Sequence, residues 1–364
     1  MSELLRRAVV CVLLGVAAAS PLSAEEVSDL PKMKILGCEG ICAKMVDPKP
    51  KGEHRADFPA GETSRWPDFG DGFVAIRLTV TADGHVKDPV LLKLVGPEGF
   101  GRTALEDVKT WEYEPATADG VPVERPNWYV ELTYATWGGI QGARKEIYSA
   151  YGHARDFLAE GKTAEVEATL LPILAKPLLS FYERSIVSLL LSSSYALKKD
   201  YLTARDYAED ATLLDGRFLD SPARQMAFRQ RIRMEAAAGH FGEALQWYEK
   251  LKNLKKGIAD DDPDTKLIER VKARLAAPDP IRVPGRISTT GMLFMWQHTL
   301  VRRQFAIPEI NGKLDQVQLE CDQKKTISPV STKAEWHIPK SWSGCLAIVT
   351  GDPGTTFVFV EANE

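Results

Sequence analysis

The sequence is poor in the features that assign a chemistry. Five cysteines and six histidines are spread over 364 residues, and no histidine pair has the His-Glu-x-x-His spacing of a metal-binding helix. There is no Gly-x-Ser-x-Gly nucleophile elbow and no glycine-rich phosphate loop. No catalytic, cofactor-binding or metal set is therefore assigned, and an enzyme is not expected. An excess of one charge is also missing. The 46 basic and 50 acidic residues leave a net charge of −4. That argues against a general nucleic-acid binder, which needs a basic face to neutralise phosphates. Long hydrophobic runs are lacking: the apolar stretch from Ala8 to Ala19 falls short of the ~20 residues that span hydrocarbon. With 27 Gly, 22 Pro and 44% hydrophobic residues, the composition does not fit a collagen-like, coiled-coil or wholly disordered chain.

What is present begins with an export signal over residues 1–24. Arg6 and Arg7 supply its basic start, Ala8 to Ala19 its apolar centre, and Pro21-Leu22-Ser23-Ala24 a cleavage site. Cleavage would remove Cys11 and leave Cys38, Cys42, Cys321 and Cys345. An even cysteine count in an exported chain points to disulfides, and proximity favours Cys38–Cys42 and Cys321–Cys345 over the other pairings. Cys38-Glu-Gly-Ile-Cys42 has three residues between its cysteines, one more than a redox Cys-x-x-Cys. Ala43 stands where c-type haem attachment needs histidine.

The expected fold is α+β and multidomain. Residues 25–57 are polar and carry Pro48-Lys49-Pro50-Lys51-Gly52, which reads as a linker holding the Cys38/Cys42 pair. Residues 58–136 alternate, 142–277 have helical spacing, and 280–364 return to strand character, with Pro278, Pro280, Pro284 and Gly285 marking the last boundary. Within 58–136, Phe73 to Val80 predicts a strand, Asp83-Gly84 a hairpin turn, and Val86 to Val95 a second strand. Gly101 to Trp111 predicts a helix with Ala104, Leu105, Val108 and Trp111 on one face. Trp128, Val130, Leu132 and Tyr134 then alternate with Asn127, Glu131 and Thr133 in a third strand. The helix packed on one face of the sheet buries that apolar set.

The stretch from 58 to 135 resembles the TonB C-terminal domain, the periplasmic part of energy transducers that engage outer-membrane receptors. The residues carrying the resemblance are Phe58-Pro59, Gly72 to Val80, Asp83-Gly84-His85-Val86, Phe100 to Leu105, Trp111-Glu112-Tyr113-Glu114-Pro115-Ala116 and Gly120-Val121-Pro122-Val123. It departs from the family in Phe58 for Tyr, in Gly101 for Asp, and in lacking Ser-Ser-Gly after the second strand. The resemblance implies a ββαβ domain whose exposed border accepts a strand from a partner. The candidate border is Asn127, Trp128, Tyr129, Val130, Glu131, Leu132, Thr133 and Tyr134. Its backbone offers N–H and C=O groups, while its apolar side chains fill the core.

Turns at Gly161-Lys-Thr163, Lys199-Asp-Tyr201 and Gly239-His-Phe241 recur along the helical region, each followed by small or apolar residues at helical spacing. The pattern resembles tetratricopeptide repeats, whose period is about 34 residues, and implies a concave protein-binding stack. Arg224, Arg229, Arg231 and Arg233 read as a solvated helix face. Ile281–Ile287, Leu293–Ile307, Leu314–Cys321, Ala334–Ile338, Cys345–Val349 and Thr355–Val360 read as short strands of a small β-sandwich. Trp296, Trp336 and Trp342 are expected to serve packing there. Of the histidines His54, His85, His153, His240, His298 and His337, His85 and His240 sit in turns and are expected to be exposed.

Together these features point to an exported periplasmic protein that binds an envelope protein, such as an outer-membrane receptor, without nucleic acid or a stable membrane span. The same border permits self-pairing into a homodimer. One alternative is a membrane-anchored energy transducer that keeps residues 8–19 in the inner membrane. Against it, residues 25–57 extend at most about 110–120 Å and average about 30 Å as a coil. Another alternative is a redox or carbohydrate-active envelope protein.

Overall fold

The computed structural model describes residues 36, 44–52, 54, 71–134, 142–176, 179–254, 258–287, 295–322 and 324–363. The signal segment, Cys38, Cys42 and Phe58-Pro59 lie outside them. No helix among the described residues is long and apolar enough to cross a membrane. The molecule is mixed α+β, in three parts.

The first part begins with two short strands, β1 (Met45–Val46) and β2 (Lys49–Lys51). Then come β3 (Gly72–Val80), β4 (Val86–Val95) and helix α1 (Glu98–Asp107). Short strands β5 (Glu112–Glu114), β6 (Ala116–Ala118) and β7 (Val121–Val123) lead to β8 (Arg125–Tyr134). The long strands form an antiparallel sheet in the order β4-β3-β8. Val74, Ile76, Leu78 and Val80 alternate toward Phe100 and Ala104 of α1, and these residues are all within 1% of fully buried. Gly84 closes the first hairpin with φ +91°, and a Cβ there would collide with the Tyr113 carbonyl.

Residues 44–51, expected to be linker, instead pair with this part: β1 lies on β6 and β2 on β5. The physical reason is across the strands. Lys49 and Lys51 of β2 stand opposite Glu114 and Glu112, and opposite charges facing each other stabilise a pair that apolar alternation does not announce. Leu36, also in the expected linker, is buried against the C-terminal core.

The second part is helical: α2 (Lys145–Ala159), α3 (Thr163–Leu174), α4 (Phe181–Leu197), α5 (Tyr201–Ala211), α6 (Ser221–Ala237), α7 (Phe241–Leu254) and α8 (Pro263–Ala276). Helices pair as α2/α3, α4/α5 and α6/α7. Each connecting turn places one residue in the left-handed region, Gly161, Lys199 and Gly239. Ala204, Ala208 and Ala211 are fully buried and let α5 approach its neighbours closely. The α6 arginines are not a solvated face. Arg229 and Arg233 bind Asp262 and Asp264 at the start of α8. Arg231 binds Glu235 at 2.6 Å, and Arg224 donates to the Asp215 carbonyl at 2.7 Å. The acidic N-terminus of α8 faces Arg229 and Arg233, which the spacing within α6 alone does not reveal.

The third part contains β9 (Ile281–Arg286), β10 (Met295–Thr299), β11 (Gln304–Asn311), β12 (Leu314–Glu320), β13 (Lys325–Pro329), β14 (Glu335–His337), β15 (Leu346–Gly351) and β16 (Thr356–Ala362). Two four-stranded antiparallel sheets, β10-β15-β12-β13 and β14-β11-β16-β9, share one apolar core. The expected strand 293–307 divides in two. Arg302 and Arg303 turn inward at the break, where Arg302 donates to the Ala277 and Asp279 carbonyls and Arg303 to the Pro339 carbonyl. Strand β13 is not among the expected strands, because its residues are mostly exposed and lack alternation.

Candidate functional site

The border strand is built from its two faces. Leu132 and Tyr134 point into the core beneath α1, with Trp128 and Val130 packed against its edge. The Tyr134 ring stacks on Phe100 at 4.2 Å. Among the described residues β8 has a single strand neighbour, β3, with Leu132 opposite Val74 and Val130 opposite Ile76. Asn127 occupies its place in the same strand. The whole predicted stretch from Asn127 to Tyr134 thus lies on the outer strand of the sheet.

The face of the sheet opposite α1 is closed by the chain itself. Phe73 and Val95 are buried with Phe181 and Leu213 of the helical part. The Phe181 N–H donates to Asp71 at 2.9 Å. Lys93 binds Glu209 at 3.0 Å and Asp210 at 3.1 Å, and Arg217 donates to Thr133 at 3.0 Å. From the C-terminal part, Glu320 binds Arg77 at 2.7 Å and accepts from Tyr129 at 2.9 Å. Burial pushes the Glu320 carboxyl up, with Arg77 and Tyr129 opposing incompletely. Burial and the neighbouring Glu320 push the Tyr129 hydroxyl up as well. Lys93 has the opposite effect on Glu209, whose carboxyl it holds well below its ordinary range.

A cleft of about 380 Å³ lies beside this contact, lined by Arg77, Asp88, Glu124, Lys324 and Lys325. Its charges of both signs leave it without preference for one ionic class.

Residues 70–135 match the family model for the C-terminal domain of the Gram-negative bacterial TonB protein. The match spans β3 to β8, under a fifth of the chain. Strands β3 to β8, together with α1, thus make up a TonB-like domain. No curated protein matches the chain.

The remaining candidate residues are dispersed. Cys321 and Cys345 form a disulfide with S–S 2.02 Å; Cys38 and Cys42 lie outside the described residues. Trp296, Trp336 and Trp342 pack on the C-terminal core. His85 is exposed in its hairpin, and its ring stands 3.9 Å from Asp83. His54 stacks on Trp111 at 4.4 Å.

His240 differs from its expectation. It is fully buried rather than exposed, because its turn is pressed onto β9, where a Cβ added at Gly239 would come within 3.3 Å of the Arg282 carbonyl. Burial and nearby Arg205 push its imidazole down to about 3. His298 of β10 is equally buried, 3.2 Å from His240. This pairing joins residues 58 positions apart, so no local motif could have announced it.

Proposed function

We propose that this chain is an exported protein of the Gram-negative envelope that recruits an envelope partner by extending its TonB-like sheet at Asn127–Tyr134. One observation carries the proposal above all others. Strand β8 is an outer strand of that sheet, whereas α1 and the chain's own later segments occupy the two faces. A partner could therefore join at the border by main-chain hydrogen bonds, a mode with little demand on sequence. The partner class is an envelope protein that offers an extended segment, as outer-membrane receptors do for TonB.

The helical pairs supply a second, tetratricopeptide-like surface that would hold the partner beyond the strand. Over 200 residues follow the TonB-like domain, which suits a recruiting role better than force transmission. A second disulfide between Cys38 and Cys42 belongs to the same proposal.

The test is capture from envelope extract by the immobilised chain, with and without proline in the 127–134 border. A specific envelope protein retained by the wild type and lost from the proline variant supports the proposal. Equal retention by both rejects the border as the docking element. Mass determination of the N-terminus separates export from anchoring: a chain starting near Glu25 is expected, and a retained residue 1 favours the anchored transducer.

A further inference from the structure

Three donor atoms converge in the seam between the third helix pair and the C-terminal sheets. They are Nδ1 of His240, Nδ1 of His298 and Oε2 of Glu243. The nitrogens are 3.2 Å apart, and the carboxylate oxygen is 3.9 Å from His240 and 4.0 Å from His298. A point equidistant from the three atoms lies about 2.2 Å from each, close to the roughly 2.0–2.2 Å of Zn–N and Zn–O bonds.

The surroundings orient two of these atoms, those of His298 and Glu243; Nε2 of His240 is buried with no hydrogen-bond partner among the described residues. Glu361 lies 2.7 Å from Nε2 of His298, and its other oxygen accepts the N–H groups of Val301 and Arg302. A carboxylate anchored this way accepts a hydrogen bond from Nε2–H and so leaves Nδ1 of His298 with its lone pair toward His240. That is the carboxylate–histidine arrangement which fixes imidazoles at metal centres. Glu243 is held from one side only. Its Oε1 accepts the Thr299 N–H at 2.7 Å, while its Oε2 is buried with no hydrogen-bond partner among the described residues.

A proton shared between the two rings would satisfy both nitrogens and still leave that carboxylate oxygen unpaired, which is costly for a buried charged acceptor. A divalent cation satisfies all three atoms at once. Two imidazoles and one carboxylate suit Zn²⁺ and its first-row neighbours. They do not suit Ca²⁺ or Mg²⁺, which take oxygen ligands.

We propose that His240, Glu243 and His298 bind a divalent first-row transition ion, with Zn²⁺ as the reference, and that Glu361 positions His298 for it. His240 and Glu243 belong to the α6/α7 turn and the first turn of α7, whereas His298 and Glu361 belong to β10 and β16. The ion therefore clamps the helical part to the C-terminal sheets. Both histidines are fully buried and Oε2 of Glu243 is buried with them, so the ion is structural.

The test uses the tag-free full chain, stripped with chelator and titrated with ZnCl₂ alone. The wild type is expected to bind one Zn²⁺ and to melt at a higher temperature when loaded. Glu243→Gln removes the anionic ligand. Glu361→Gln presents an N–H₂ group to His298 and forces the proton onto Nδ1. Both variants are expected to bind Zn²⁺ about 10- to 100-fold more weakly, and to melt with little response to it. X-ray absorption on the loaded wild type, expected to show two imidazoles and an oxygen ligand, serves even where a variant fails to fold. No Zn²⁺-dependent shift in the wild type, equal binding by the folded variants, or a shell lacking two imidazoles would overturn the proposal.

Discussion

Glu209 and Glu320 both reach the TonB-like sheet from later parts of the chain, yet acid acts on them in opposite directions. Lys93 depresses the Glu209 carboxyl from its ordinary 4.5. Its contribution is therefore complete above that value and is lost as pH falls through the depressed one. Burial raises Glu320, so the folded state takes up its proton first, and acidification neutralises the Arg77 ion pair while relieving the cost of burying that charge. Melting temperatures of the wild type and Glu209→Gln are expected to differ most at neutral pH and to converge below pH 4.5. A constant difference across that range would contradict the assignment. Residue-scale legibility follows the same divide between local and distant partners. Val74, Ile76, Leu132 and Tyr134 are readable as core because a strand's period is local. The burial of His240 and the pairing of Arg229 and Arg233 are not, because their partners come from elements farther along the chain.

At the scale of elements, α4 begins where the helical part meets the TonB-like domain, with the Phe181 N–H donating to Asp71. Ser180 caps it by accepting the Glu183 N–H at 3.1 Å, and Glu183 accepts the Ser180 N–H in return at 3.2 Å. Burial alone would raise the Glu183 carboxyl, but its hydrogen bonds with Arg144 lower it. Ser180→Ala is expected to lower unfolding free energy by about 1 kcal/mol, and Glu183→Ala by more, since it also releases Arg144. Denaturant titration of both variants checks the order.

In β8, backbone N–H groups alternate between β3 and the outside. Single prolines at 130, 131, 132 and 133 are therefore expected to destabilise strongly at alternate positions and weakly at the others. Uniform losses would contradict a border position. The long strands, the Asp83-Gly84 turn and the helix pairs are legible because each carries its own periodicity or punctuation. Strands β1, β2 and β13 are not, because pairing partners rather than apolar alternation decide them.

For the whole molecule, the arrangement of parts matters more than any one of them. The helical and C-terminal segments close the second face of the TonB-like sheet, which leaves its outer strands for the proposed partner. The C-terminal sheets are pinned by a disulfide that closes a separation of 24 residues. Replacing Cys321 and Cys345 together by alanine is expected to lower stability by about 3 kcal/mol, measured by denaturant unfolding in non-reducing buffer. No such arrangement could be read from composition, since the contacts that build it join Phe73 to Phe181 and Arg77 to Glu320 across domain boundaries. Amide hydrogen exchange over Asn127–Tyr134, with and without the captured envelope partner, tests strand addition most directly. Alternate amides of the strand should slow when the partner binds; exchange unchanged along the whole stretch would contradict docking at this border.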